Sequence, residues 1–564
     1  MKFMDTKITR YLAIIMLIGF LSIVFFHSLL ILQSHDWDLD SFLYLGSRLS
    51  SGELLYEYDF ETKLPLLQYI FWFPAFFGGI GAWRIFNFLI CFILTVSSVW
   101  LIFHSVIRVK HSKPISPKII WPVWFIPVIT MLVLYSLPGS SSAHISMVSG
   151  CLVFFTIGAI HRGLTTSKYY FLWTVMAGVA LSAAVSIRPN FLYTLPGLVL
   201  IYVLWWFIVS EPIYFKKHIS MILIFIISFI LGSTLQFIPY LFIKDGLVTV
   251  YSGIIALANF SIGSSPRAVI SSQILNPSTF SFYLMLFAMF NFLLFILLRT
   301  NNDEFKLLKK IFAGLLGTGL ALIGLEYQAI CRHYYPHYSM MFIPFFGVFL
   351  TYFFVIFVAY KKQLFSLKPL KGKLLKYLNA LILLAVTLAF VSQAGLVINN
   401  NLFIKGFDLF TNRGQLSLNI NERSIDKKLL TFLENAQKNG FSFYMPVNTN
   451  YHRLLEEKRI GDGHPAMLFN VLTGNRVGPV GSIFLYSDEV YKAPCKAINE
   501  SGKDLIIITR TEGTVYFNID FLVNNCLERE DSSYKELGNS QESGLFTIKV
   551  NKSIKEDYKI FIRK

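Results

Sequence analysis

Long apolar runs alternate with short polar segments from the start of the chain to residue 397. A helix that crosses the hydrocarbon core of a bilayer needs roughly 17–25 mostly apolar residues. Runs of about this length predict transmembrane helices near residues 11–33, 82–105, 119–137, 144–161, 169–187, 191–209, 219–243, 281–299, 311–329, 339–360 and 378–397. The pattern therefore predicts a polytopic α-helical membrane protein with about 11 transmembrane helices.

Two stretches depart from this pattern. The segment LPLLQYIFWFPAFFGG is apolar but short and contains two prolines, so we interpret residues 64–81 as an interfacial or re-entrant helix. After residue 397 the composition is that of a soluble protein. There, IDKKLLTFLENAQKN is typical of an amphipathic helix, and FSFYMPV, DLIIIT and LFTIKV are typical of strands. The chain thus divides into a predicted transmembrane domain (1–397) and a C-terminal outward-facing α/β soluble domain (398–564).

Composition and charge support this division. With 54% hydrophobic and only 15% charged residues, the chain is not an ordinary soluble protein. The net charge of +17 comes from Lys and Arg in short clusters between the apolar runs, which is typical of membrane topology and not of a nucleic-acid-binding face. If the basic N-terminus is cytoplasmic, these clusters lie inside, and the first loop (34–65) and the C-terminal domain lie outside. We predict a multi-pass protein of the cytoplasmic membrane, with membrane lipid and no nucleic acid among its partners.

The first outer loop is unusually acidic. It holds seven of the 33 acidic residues, namely Asp36, Asp38, Asp40, Glu53, Glu57, Asp59 and Glu61. A solvated loop or a helix cap would explain these acids without any chemistry. Asp38 and Asp40 share a face only if the segment is extended, whereas Asp40 would be the N-cap of a helix that began at Ser41. Asp36, Asp38 and Asp40 could also ligate a divalent cation, although the Gly and distal Glu of an EF-hand loop are absent.

The motifs of two outer loops resemble a known superfamily. They are Asp38 and Asp40 followed by 42-FLYLG-46, 52-GELLY-56, Asp59 and 63-KLP-65, and, before the tenth predicted helix, 332-RHYYPHYSMMFIPFF-346. This arrangement resembles the C-type glycosyltransferase superfamily, in particular bacterial enzymes related to protein O-mannosyltransferases and to the aminoarabinose transferases of lipid A. The common pattern has KPP where this chain has Lys63-Leu64-Pro65.

The resemblance implies a reaction and a role for each residue. The donor would be a sugar on a polyprenyl phosphate, and a hydroxyl of a glycan, lipid or protein acceptor would displace the phosphate with inversion. Asp38 or Asp40 would be the catalytic base. Donor phosphate contacts would come from Lys63, Arg332, His333 and His337. The substrate pocket would include Tyr56, Arg188, Asn190, Glu326 and Tyr338.

Some of these residues also have explanations that involve no catalysis. Lys63 could instead extend along the membrane interface, and Tyr56 could be one of the aromatic residues common there. Glu326, predicted within a membrane helix, would cost up to about 2.5–3.5 kcal/mol if it faced lipid at mid-depth, so we expect it to face the protein interior. Cys495 and Cys526 are the two cysteines that could pair, and the sequence leaves this open.

Three other functions fit parts of the pattern. A transporter or flippase of a lipid-linked saccharide would be expected to show repeated halves and ionisable residues at mid-membrane, and neither is evident. A polymerase or ligase of surface polysaccharide usually has its functional loops late in the chain, whereas the acids here crowd the first loop. A non-catalytic scaffold is less consistent with an intact Asp and Lys pair. The sequence therefore favours an integral-membrane glycosyltransferase.

Overall fold

The computed structural model describes most of the first two-thirds of the chain and short segments of the rest. The described residues are 14, 37–50, 52–56, 63–77, 79–107, 123, 125–136, 143–209, 215–262, 305–332, 339–365, 432, 435–436, 439–441, 443–445, 476–477, 504–509, 527–528, 532–536, 541–543, 546–548 and 558–564. These residues are mostly helical, and six of the helical stretches are long and apolar enough to cross a membrane.

The α-helices, numbered along the chain, are α1 (Trp37–Leu49), α2 (Leu66–Phe76), α3 (Gly79–Ile107), α4 (Phe125–Ser136), α5 (Ser146–Thr165), α6 (Tyr170–Ile187), α7 (Leu195–Leu204), α8 (Phe215–Leu235), α9 (Gly246–Ile262), α10 (Phe305–Arg332) and α11 (Ser339–Phe365). Two 3₁₀ helices, Pro189–Thr194 and Ile238–Phe242, precede α7 and α9, and a π-helical turn, Trp205–Val209, follows α7.

Most of the predicted spans that fall on described residues are present as helices. The six membrane-length stretches are Gly81–Val106, Ser146–Thr165, Tyr170–Ile187, Pro189–Val209, Lys216–Leu235 and Leu307–Tyr327. Helices α4 and α11 lie within or across the runs predicted at 119–137 and 339–360. The runs at 281–299 and 378–397, and all of 11–33 except Ile14, lie outside the described residues. The total of eleven spans therefore stays a prediction.

The chain forms two compact units, and the first contains most of the long helices, namely α4 to α8, α10, α11 and the part of α3 from Arg84 onward. Small residues allow these helices to pack closely, as in other helical membrane proteins. A Cβ atom added at Gly317 of α10 would meet the Ile201 side chain and lie 2.7 Å from the Gly197 carbonyl oxygen of α7. One added at Gly178 of α6 would lie 2.6 Å from the Phe225 carbonyl oxygen of α8. These helices therefore contact one another through their backbones.

The second unit contains α1, α2, the 3₁₀ helix Ile238–Phe242, α9 and the described strands. Helix α2 lies within residues 64–81 and has Pro74 inside it, whereas the interfacial or re-entrant placement of this segment stays a prediction. The predicted span at 219–243 is not one continuous helix, because α8 ends at Leu235 and a 3₁₀ turn follows. Helix α9 lies between the predicted spans at 219–243 and 281–299, where the sequence analysis predicted no element.

The described C-terminal residues contain a mixed five-stranded sheet. Its strands are β1 (Phe443–Met445), β2 (Arg476–Val477), β3 (Leu505–Thr509), β4 (Tyr534–Glu536) and β7 (Tyr558–Arg563), and β5 (Gln541–Ser543) pairs with β6 (Phe546–Ile548) in a separate hairpin. The order is β2-β1-β3-β7-β4, with β1 parallel to β2 and β3, and β7 antiparallel to β3 and β4.

Strands β1, β3 and β6 coincide with the three strands predicted from sequence. Within the predicted amphipathic helix, Phe432, Asn435 and Ala436 are helical, and Phe432 and Ala436 are buried. The predicted domain boundary at residues 397 and 398 lies outside the described residues, as do Cys495 and Cys526. The extent of a C-terminal domain therefore stays a prediction.

Candidate active site

Helix α1 carries the two candidate catalytic acids in its first turn. The helix begins at Trp37, so Asp38 and Asp40 are helical residues. Neither the extended segment nor the helix starting at Ser41 that the sequence allowed is correct. Residues two apart in an α-helix are separated by about 200° around the axis and do not face each other. The two acids therefore occupy different faces of α1, and only one of them can share a face with a given partner.

Lys63 contacts α1 on the face that carries position 38. Its ammonium lies 5.1 Å from the centre of the Phe42 ring, and 9% of the residue is exposed. Phe42 follows Asp38 by four residues, which places both on one helix face, and follows Asp40 by two, which places them on opposite faces. The structure thus brings Lys63 to the helix face of Asp38.

Three aromatic rings pack together next to the Lys63 ammonium. The Phe42 ring packs against Phe71 of α2 at 5.3 Å between ring centres, and Phe71 packs against Trp83 at 4.1 Å. All three side chains are buried. An ammonium over an aromatic ring in such apolar surroundings interacts more strongly with an anion than it would in water.

Gly46 allows α1 and α2 to approach closely enough for these aromatic rings to pack together. A Cβ atom added at Gly46 would meet the Phe71 carbonyl group and lie 2.8 Å from the Trp72 backbone nitrogen. Because these atoms belong to the backbone, a larger residue would force the two helices apart. The glycine of the FLYLG motif therefore has a packing role.

Gln68 of α2 forms hydrogen bonds with α1 and with the segment that connects α1 to α2. This side chain is buried, and its amide nitrogen donates to the carbonyl oxygens of Leu45 (3.0 Å) and Glu53 (2.9 Å). Its amide oxygen accepts from the Leu55 backbone N–H at 2.9 Å. A buried amide with three backbone partners holds the chain in one conformation, because any other would leave these groups without partners.

Residues that follow α8 hold the same loop from a second direction. The Gln236 side-chain oxygen accepts from the Leu66 N–H at 2.9 Å, and its carbonyl oxygen accepts from the Tyr69 hydroxyl at 2.9 Å. Burial raises the pKa of Tyr69 to about 12, so this hydroxyl stays a donor at neutral pH. The Tyr240 hydroxyl donates to the Leu55 carbonyl oxygen at 2.5 Å. The loop that carries Lys63 is therefore fixed by contacts distant in sequence.

Glu53, one of the seven acids of the first loop, has a structural partner. Arg48, near the end of α1, donates through Nε to the Glu53 carboxylate at 2.8 Å, and its Nη2 contacts the other carboxylate oxygen. The Arg48 side chain is 5% exposed and that of Glu53 15%. This paired geometry is the one guanidinium and carboxylate groups prefer. Glu53 therefore stabilises the end of α1 and is not a candidate base.

Tyr56 contacts the backbone of Lys63. It is partly buried, has a left-handed backbone conformation (φ 74°), and its hydroxyl donates to the Lys63 carbonyl oxygen at 2.5 Å. Its prediction as a residue of the substrate pocket is not tested. What the structure shows is a contact with the residue expected to bind the donor phosphate.

In the first unit, three predicted pocket residues lie on neighbouring segments. Arg188 is the C-cap residue of α6, Asn190 is the second residue of the 3₁₀ helix that follows, and both are buried. The same 3₁₀ helix contacts α10 where the Tyr193 carbonyl oxygen meets Gly324, two residues before Glu326. Glu326 is 3% exposed, which agrees with the expectation that it faces the protein interior. The structure thus places Arg188, Asn190 and Glu326 on segments that pack together.

A buried polar group at the start of α3 and α5 was not predicted. The Asn87 side chain accepts from the Tyr135 hydroxyl at 2.9 Å and donates to the Ala143 carbonyl oxygen at 3.1 Å. The adjacent His144 is buried, and its Nδ1 accepts from the Ser146 N–H at 3.2 Å. In the predicted topology this group lies at the outer end of the helices. The signal was Asn87 itself, a polar residue inside a predicted membrane span.

The remaining predicted site residues lie at the end of α10 or outside the described residues. Arg332 is the last residue of α10. His333, His337, Tyr338 and Asp36 lie outside the described residues. Within the described part of the chain, no three His, Cys, Asp or Glu residues are grouped as they would be around a metal ion. A cation site formed by Asp36, Asp38 and Asp40 stays a prediction, because Asp36 is not among those residues.

Comparison with known proteins gives similarity to solved structures. No family model matches the sequence, and no curated protein matches it. The chain is similar to ArnT from Cupriavidus metallidurans bound to undecaprenyl phosphate, with 12% identity, 97% of each chain covered and a TM-score of 0.46. For apo ArnT from the same organism the values are 13%, 97% of each chain and 0.42.

The third similar structure is the archaeal oligosaccharyltransferase AglB from Archaeoglobus fulgidus, in complex with an inhibitory peptide and a dolichol-phosphate. Here the identity is 9%, the match covers 87% of this chain and 69% of AglB, and the TM-score is 0.40.

Proposed function

We propose that this protein is an integral-membrane glycosyltransferase that moves a sugar from a polyprenyl-phosphate donor to an acceptor hydroxyl at the outer face of the cytoplasmic membrane. The observation that carries the proposal is the position of Lys63, whose ammonium contacts the α1 face shared by Asp38 and Phe42. Displacement of a phosphate by a hydroxyl requires a base and a cation that binds the anion. In this proposal both lie at one face of α1.

In the proposed reaction the acceptor oxygen attacks the anomeric carbon of the donor sugar. A new carbon–oxygen bond forms as the bond from that carbon to the phosphate oxygen breaks, and its electron pair leaves with the phosphate. The Asp38 carboxylate takes the proton of the attacking hydroxyl, a contribution of about 10²–10⁴-fold in rate. Lys63 stabilises the negative charge that develops on the phosphate. A single displacement of this kind inverts the anomeric configuration.

Asp38 is preferred to Asp40 as the base on geometric grounds. The donor phosphate has to lie within reach of the Lys63 ammonium, and Lys63 contacts the face of α1 that carries position 38. Asp40 lies on a different face of the same turn. Its proposed role is to add negative charge at the N-terminus of α1, which the helix dipole favours.

The roles predicted from sequence for the other residues remain part of the proposal. Arg332, His333 and His337 would add hydrogen bonds to the donor phosphate. Arg188, Asn190, Glu326 and Tyr338 would line the pocket for the sugar or the acceptor. The C-terminal residues would contact the acceptor, which could be a lipid-linked glycan, an envelope polymer or a protein.

The test is donor turnover by the purified full-length chain in lipid vesicles. Undecaprenyl phosphates that carry single radiolabelled sugars are offered one at a time, with crude envelope as the source of acceptor. We expect one donor to lose its label to an acceptor with inverted anomeric configuration, and Lys63→Ala to weaken donor binding. If no donor is consumed but labelled lipid changes leaflet, the protein is a transporter and the proposal is wrong.

A further inference from the structure

Tyr56 has a backbone conformation that is unusual for its residue type. Its φ of 74° lies in the left-handed region, which is unfavourable for a residue with a bulky side chain. Such a conformation persists only where surrounding contacts enforce it. At Tyr56 both the ring and the hydroxyl have identifiable contacts.

Gly253 of α9 provides the surface against which the ring packs. A Cβ atom added at Gly253 would lie 2.6 Å from Cγ of the Tyr56 ring. The neighbouring Leu54 belongs to a buried cluster with Tyr240 and with Val250 of α9. The segment that ends at Tyr56 is therefore anchored on α9 and on the 3₁₀ helix before it, independently of the residues that follow.

The hydroxyl of Tyr56 carries this anchoring to Lys63. It donates to the Lys63 carbonyl oxygen at 2.5 Å across seven positions of sequence. A phenolic hydroxyl has one hydrogen, so while it donates to this carbonyl it cannot also donate to a phosphate. This favours a role for Tyr56 through Lys63 over the direct substrate contact expected from sequence.

We infer that Tyr56 is a positioning residue, which holds Lys63 at the face of α1 that carries Asp38 so that the ammonium is in place before the donor phosphate arrives. The inference rests on the proposed function and names the element that organises its phosphate-binding cation. A preorganised cation binds an anion more tightly than a mobile one, because its side chain and backbone are already ordered.

The experiment is a double-mutant cycle on binding of radiolabelled undecaprenyl phosphate to the full-length chain in lipid nanodiscs. Lys63→Ala is expected to weaken binding about 10-fold or more, the loss typical of a hydrogen bond to a charged group. Tyr56→Phe keeps the ring on Gly253 and loses only the hydroxyl, and is expected to weaken binding about three- to tenfold. The double variant should bind as Lys63→Ala does, because Tyr56 acts only through Lys63.

Tyr240→Phe is the matched control. It removes a tyrosine hydroxyl bond of the same length to the same loop, but to Leu55. It should lower the unfolding temperature as much as Tyr56→Phe does, while it changes binding less than about twofold, because it leaves the hydrogen bond from Tyr56 to the Lys63 carbonyl oxygen in place. Equal effects of the two variants on binding would mean that Tyr56 is merely structural and would overturn the inference.

The cycle also separates this inference from the proposed function. If Lys63→Ala weakens binding and Tyr56→Phe does not, or if the two losses multiply in the double variant, Tyr56 does not position Lys63. If Lys63→Ala leaves binding unchanged, Lys63 is not a phosphate ligand, and the proposed function loses its support together with the inference.

Discussion

Replacement of Gln68 by methionine tests how the loop that carries Lys63 is held. Methionine fills a similar volume but forms none of the three hydrogen bonds that the Gln68 amide makes with Leu45, Glu53 and Leu55. At about 0.5–1.5 kcal/mol for each bond, the net loss in the free energy of unfolding should be roughly 1.5–4.5 kcal/mol. Leu55 is fully buried, so its N–H finds no water in place of the amide oxygen.

The assay is unfolding of the purified protein in mixed micelles, followed by tryptophan fluorescence. Tyr69→Phe is the comparison, because it removes one hydrogen bond, to the Gln236 carbonyl oxygen, from the next residue of α2. It should cost about 0.5–1.5 kcal/mol, clearly less than Gln68→Met. Equal losses in the two variants, or a loss of less than about 0.5 kcal/mol for Gln68→Met, would refute the assigned hydrogen bonds.

Two further predictions concern packing and charge. Gly317→Ala should lower the free energy of unfolding by about 1–3 kcal/mol because the new methyl group meets α7, whereas Gly319→Ala, with no atom within 4 Å of the added carbon, should not destabilise the protein. Melting of both variants in detergent checks this, and equal melting temperatures would contradict the contact. Glu53→Gln should cost about 1–3 kcal/mol through loss of its ion pair with Arg48, yet leave turnover by the folded fraction within about twofold of wild type. Loss of turnover at unchanged stability would instead place Glu53 in the chemistry.

The long helices could be predicted from the sequence because hydrophobic run length determines whether a helix can span a bilayer. The short helix α2 was recognisable for the same reason, since its apolar run is too short to span and is interrupted by proline. Helix α9 was not recognised. Its exposed face is itself apolar, with Leu247, Val248 and Tyr251 more than 60% exposed, so no polar stripe marked it as helical.

The sequence indicated which residues are candidates for the site, but it did not determine how they are arranged. The choice between Asp38 and Asp40 depends on whether the segment has the periodicity of a strand or of a helix, and six residues of acidic sequence do not determine that. Gln236 and Tyr240, more than 165 positions away, form contacts that hold the Lys63 loop. A pattern within the loop itself could not predict these contacts. The ion pair between Arg48 and Glu53, five residues apart, was within reach of sequence reasoning.

In the proposed mechanism, one acid of α1, on the face contacted by Lys63, is the catalytic base. The most direct measurement is the single-turnover rate of sugar transfer by Asp38→Asn and Asp40→Asn, with donor binding measured in parallel. Asp38→Asn should lower the rate by about 10²–10⁴-fold while donor affinity is kept, and Asp40→Asn should stay within about fivefold of wild type. Transfer that survives in Asp38→Asn and is lost in Asp40→Asn would show that Asp38 is not the base, and full activity in both variants would show that neither acid is.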